Sequence, residues 1–167
     1  MSCLGVHFAL TEEQATKLRS FESDGERLDF LLEEIESYFF EEAPEFKAES
    51  DKSWDAMHRA LTDGELSYTN GSYPLNHVVL GGEVLYFEDD YIMSLKTPAQ
   101  VTDVANALGQ VSEEKFRELY FKIKPESYGC DVDEDDFQYT LGWFEDQAAF
   151  WQRAASEGRY VLFTADQ

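Results

Sequence analysis

The sequence predicts a mixed α/β fold, in which a small central β-sheet is covered by several helices. Three observations carry this: short apolar runs at the start, middle and end of the chain, amphipathic stretches of helical period between them, and capping signals at their boundaries. Strand direction is not encoded in such patterns, so the same elements could also be filed as α+β.

Residues 4–10 (Leu-Gly-Val-His-Phe-Ala-Leu) are mostly apolar and read as a buried first strand. Thr11-Glu12-Glu13-Gln14 has the form of a capping box, so a helix starts there. Across 25–42, Leu28, Leu31, Leu32, Ile35 and Phe39 recur on one helical face while acids fill many other positions, which predicts an amphipathic helix. Ser50 or Asp51 can cap a third helix that runs to about Leu61 and stops at Thr62-Asp63-Gly64.

Residues 66–74 are rich in turn formers and predict a loop, and 75–80 could form a short helix stopped by Gly81-Gly82. Runs 84–87 and 91–95 are β-rich and separated by Glu88-Asp89-Asp90, so at least one is a strand. Thr97-Pro98 joins an N-cap to a proline at the first helical position, with Val101, Val104, Ala105 and Leu108 behind it on one face. Ser112 starts another helix, along which Phe116, Leu119, Tyr120 and Ile123 share a side. A long aromatic helix over 134–157 ends at Gly158, and 159–164 closes the pattern as a strand.

With 167 residues and no repeat or linker, the chain is expected to form one domain over 1–167. Hydrophobic residues at 43% and aromatics at 15% set it apart from disordered acidic chains. The longest apolar runs, such as 84–87 and 160–163, fall far short of the roughly 20 residues a membrane helix needs, and no basic-then-apolar leader is visible, so a cytoplasmic location is expected. In that compartment Cys3 and Cys130 are expected as thiols rather than as a bridge.

The formal charge of −22 disfavours contact with nucleic acid or anionic membrane and points to a basic protein partner, although acidity also serves solubility alone. Between Glu22 and Asp51 the only cations are Arg27 and Lys47, so the acids Glu33, Glu34, Glu36, Glu41, Glu42 and Glu45 form the candidate partner-binding band. A solvated helix face is the plainer account of the same run. The oligomeric state is not readable from these features.

A second candidate is a ligand pocket. On a helix Trp54, His58 and Leu61 share a face with Asp55 beside it, and Thr62, Tyr73, Gly81 and Gly82 add polar, aromatic and glycine residues of the kind that line pockets. His58 would be its acid/base or liganding group, whereas a core stripe of Trp54, Met57, His58 and Leu61 explains the same spacing. Metal and cofactor sites are not expected. The histidines His7, His58 and His77 lack close-ligand spacing, and Asp131 to Asp136 resembles a calcium loop only until Asp136 and Gly142 occupy the places of its glycine and its bidentate Glu. Acids ahead of a helix are better explained by its dipole. No G-x-G-x-x-G, P-loop lysine or nucleophile elbow occurs, so enzyme status stays open.

The order and spacing of several motifs resemble the YfbM-like family, a small bacterial domain of unknown function. They are the opening strand ending before Thr11, Trp54-Asp55-x-x-His58-x-x-Leu61-Thr62, Pro74-Leu75-x-x-x-Val79-Leu80-Gly81-Gly82, Leu95-x-Thr97-Pro98-x-x-Val101, and Ala154-Ala155-x-x-Gly158-x-x-Val161-Leu162. The resemblance implies a mixed helix-and-sheet domain and transfers no catalytic residues. Two functions therefore stand side by side: an interaction or immunity-type module for a basic partner, and a small enzyme or ligand binder built around Trp54 and His58.

Overall fold

A computed structural model describes residues 3–167. β1 (Gly5–Leu10) leads into α1 (Glu12–Ser20), whose Thr11 capping box forms as the sequence predicts. α2 (Asp24–Phe30) runs through a π-helical stretch (Leu31–Glu36) into α3 (Ser37–Glu41), giving one helical rod over 24–41. β2 (Lys47–Asp51) and α4 (Trp54–Leu61) follow, then β3 (Glu83–Val84) and β4 (Tyr91–Lys96). The remaining elements are α5 (Pro98–Leu108), α6 (Glu113–Tyr120), α7 (Pro125–Tyr128), α8 (Glu134–Phe144), α9 (Gln147–Ser156) and β5 (Tyr160–Asp166).

The strands form one sheet in the order β2-β1-β5-β4-β3. The fold is mixed α/β, and every pairing within the sheet is antiparallel, with β1 against β5 from Gly5↔Ala165 to Leu10↔Tyr160. Strand alternation sorts the core into two layers. Phe8, Leu10, Met93, Leu95 and Leu162 face α1 and the rod, meeting Leu18, Leu31, Ile35 and Phe39. Ala9, Ile92, Val161, Phe163 and Ala165 face α4 to α9, meeting Met57, Val104, Phe116, Phe137 and Trp151. Each large side chain sealed this way contributes about 1.5–3 kcal/mol.

Four sequence expectations change. Ser50 and Asp51 do not cap a helix; they end β2, where Ala48 and Ser50 point inward between outward Lys47 and Glu49, and α4 begins after Ser53. The 134–157 helix is two helices, because α8 packs toward α4, α6 and β2 while α9 packs against α5, and the chain turns at Glu145-Asp146 between these partners. Residues 75–77 form a single 3-10 turn rather than a longer helix, and a short α7 starts at Pro125 in a segment with no predicted element. Leu32, placed by its spacing on the apolar face of the rod, stays 45% exposed. The π-helical i→i+5 bonding widens the turn, so Leu31, Ile35 and Phe39 are buried while Leu32, Glu36 and Phe40 make a separate stripe.

Candidate functional site

The ligand-pocket residues do not converge. Trp54 is buried against Phe163, and its indole N–H donates to the Cys3 carbonyl at 2.8 Å. His58 is 1% exposed, and its Nε2 lies 2.8 Å from the Asn70 side-chain oxygen. The Asn70 amide nitrogen is committed as a donor to Thr62, Asp63 and Glu65, so its oxygen accepts and His58 Nε2 carries the proton. Burial pushes the His58 pKa down. This neutral imidazole, with Thr62 donating to the His58 carbonyl at 2.6 Å, clamps the loop after α4 and borders none of the clefts described below.

Asp55 binds Arg59 at 2.6 Å inside the same helix; burial raises its pKa against the pull of Arg59. Tyr73 is half-exposed and donates to Asp103 at 2.5 Å. Gly81 and Gly82 are packing glycines: a Cβ on Gly81 would strike the Asn76 carbonyl, and Gly82 has φ +128° with its Cβ position 2.6 Å from the Leu95 carbonyl. Of the predicted set, only Trp54 and Asp55 share a cleft, one of about 480 Å³ that also takes in Cys3, Tyr128, Cys130 and Tyr139. Both cysteines are free thiols.

A polar row that sequence reasoning missed explains why the Gly81-Gly82 segment is so constrained. His7 Nε2 donates to the Val78 carbonyl at 2.6 Å, Lys96 Nζ donates to the Val79 carbonyl, and Ser94 Oγ lies 2.8 and 3.0 Å from the Leu80 and Gly81 carbonyls. Four consecutive carbonyls of a buried, non-repetitive segment thus find partners on the inner faces of β1 and β4. Lys96 is fully buried, its remaining hydrogen bonds go to Ser94, and its ammonium lies 5.7 Å from the Phe163 ring centroid. Among the described residues no carboxylate is paired to it, so desolvation pushes its pKa well down; desolvation, with help from Lys96, pushes His7 down to about 3. The signal was present in the alternation His7-x-Ala9 and Ser94-x-Lys96, but a lysine inside a strand reads as an exposed position.

The acidic band occupies a different region. Glu33, Glu34, Glu41, Glu42 and Glu45 are exposed; Glu34 lies 3.6 Å from Lys17, and the other four make no ion pair among the described residues. Glu36 alone turns inward. It lines a cleft of about 440 Å³ between the rod and one end of the sheet, beside Leu32 and Phe40 from the rod and Leu4, Val6, Tyr91, Trp143 and Thr164. Glu49 and Asp51 add carboxylates from β2, and Asp166 adds one from the end of β5. Asp166 accepts the Leu4 backbone N–H at 2.7 Å. Desolvation and the charge of Asp166 raise the Glu36 pKa, with the Tyr91 hydroxyl at 3.4 Å opposing them. Among the described residues no lysine or arginine lines this cleft directly, although Lys47 reaches two of its walls, Phe40 and Glu49, and no group of three or more His, Cys, Asp or Glu is arranged to hold a metal ion.

An antiparallel five-stranded sheet between two helical layers, with a carboxylate-bearing cleft at one end, defines the class of this protein. The family described as "Domain of unknown function (DUF1877)" matches residues 1–164, so the chain belongs to that family, the YfbM-like proteins. The crystal structure titled as YfbM, a protein of unknown function from Escherichia coli, is similar over 97% of this chain and 99% of that one, with a TM-score of 0.63 and 19% identity. At that identity the likeness speaks to the fold. No curated protein matches the chain. Among the described residues no helix is long and apolar enough to cross a membrane.

Proposed function

We propose that this protein is an interaction module, of the immunity or inhibitor type, whose acidic face binds a basic protein partner. The carrying observation is that Glu33, Glu41, Glu42 and Glu45 stand exposed on the rod and the loop after it, and that none of their carboxylates makes an ion pair among the described residues. Thirteen cations serve thirty-five acids, and several of those cations are spent inside the fold: Lys96 and Arg59 are buried and Arg27 is bonded to the Leu85 and Phe21 carbonyls. An uncompensated field of one sign steers an oppositely charged partner and rejects phosphate-bearing ones.

The test is affinity capture from the source cells at about 50 mM and about 500 mM salt, which spans weak to strong screening. A basic protein is expected on the wild-type chain at low salt, released at high salt. It should be absent from a Glu33→Gln, Glu41→Gln, Glu42→Gln, Glu45→Gln variant. Equal recovery by that variant, or no basic protein at low salt, would refute the proposal.

A further inference from the structure

We infer that the cleft between the helical rod and the sheet end is a docking pocket for one cationic side chain and its apolar neighbour, presented by a peptide segment of a basic protein. The inference rests on the partner class proposed above and narrows it to a single pocket. At about 440 Å³ the cleft is of ordinary ligand-site size. Its walls include Leu4, Leu32 and Phe40, which are 47, 45 and 44% exposed, together with Tyr91 and Trp143. Large apolar side chains left open side by side mark a contact surface.

Charge decides what kind of contact. Glu49 is already paired with Lys47 at 2.9 Å, whereas Glu36 and Asp51 line the cleft with no ion pair among the described residues, so an anionic or neutral apolar occupant would leave their charge unanswered. Burial already holds the Glu36 carboxyl above its usual range, a cost that an incoming cation relieves. The occupant's chemistry has a precedent within the chain. The Lys47 ammonium lies 4.4 Å from the centroid of the Phe40 ring and 2.9 Å from Glu49 Oε2, so one cation is already held by an aromatic face and a carboxylate that both belong to this cleft. The apolar walls beside the acids require a carbon-bearing partner rather than a bare ion.

The experiment is a titration of the full chain followed by two-dimensional NMR. The probes are the capped dipeptide N-acetyl-leucyl-arginine amide, its leucyl-glutamine counterpart, and spermidine. The arginine dipeptide is expected to bind with a dissociation constant of about 1 mM, a value suited to a single anchor, and to shift the Leu32 and Phe40 amides and the Trp143 indole. Glu36→Gln and Phe40→Ala should each weaken it by about tenfold, and the glutamine dipeptide should not bind.

Shifts confined to the rest of the surface, equal binding of the glutamine dipeptide, or spermidine binding as tightly as the arginine dipeptide would each overturn the inference. Since Leu32 and Phe40 are surface residues, the wild-type shift map alone decides the location even where a variant misfolds. Failure of the dipeptide with retained salt-sensitive protein capture removes the pocket and leaves the broader reading; failure of capture with dipeptide binding removes the reading and leaves a cation pocket.

Discussion

At the scale of single residues, the buried polar groups on the inner face of the sheet have the sharpest consequences. His7 is fully buried with its proton on Nε2 for the Val78 carbonyl, and its pKa is pushed down to about 3 from the ordinary 6.5. The unfolded chain takes up a proton near pH 6.5 that the folded chain refuses until about pH 3. His7 therefore costs nothing above pH 6.5, and stability drains as the pH falls from there toward 3. Between pH 7 and pH 5 the wild type should lose about 2 kcal/mol more than His7→Gln, in which an amide can still donate to Val78. Urea unfolding at the two pH values checks it, and parallel curves would mean that the imidazole is protonated in place. His58 was visible in the sequence as a special residue on a buried face, but its partner Asn70 sits in a loop with no helical or strand period. Spacing alone could not separate a clamp from a catalytic base.

At the scale of elements, local signals with a mechanism survived and those decided by tertiary context did not. The Thr11 and Thr97 capping boxes and the Ser112 cap form where the side chains predict them, because a cap is a bond between residues three apart. β2 went unseen because its inward positions are Ala48 and Ser50, too small to show an alternation, and α8 and α9 merged because nothing between them breaks a helix. The cleft was legible only in part. Glu36 was one of six acids in the predicted band with nothing to set it apart, whereas Glu49, Asp51 and Asp166 come from strands that only the sheet brings together. Two substitutions separate cap energy from backbone constraint. Thr97→Ala should cost about 1 kcal/mol, the worth of one N-cap bond. Gly82→Ala should cost more, at least about 2 kcal/mol, since it combines a φ of +128° with a clash against the Leu95 carbonyl. Chemical denaturation of both variants tests the ranking, and the reverse order would show that the segment from Val78 to Gly82 yields easily.

At the scale of the whole molecule, a charge of −22 sets self-repulsion against a few ion pairs that are mostly exposed and weakly stabilising. Repulsion is the larger effect, so the melting temperature should rise as sodium chloride goes from about 0.01 M to about 0.5 M, where the Debye length shrinks well below the protein's own dimensions. A falling melting temperature in calorimetry would give the ion pairs the greater weight. The sheet order carries a further consequence, for the moment of synthesis. β5 sits at the centre, paired with β1 on one side and β4 on the other, yet it is the last of these elements to be translated. Until it emerges from the ribosome, β1 with β2 and β3 with β4 are two open-edged fragments whose inner strands have nothing to bind. The nascent chain must wait, apolar faces uncovered, for its final strand to act as the keystone, and holdase chaperones have their opening in that interval.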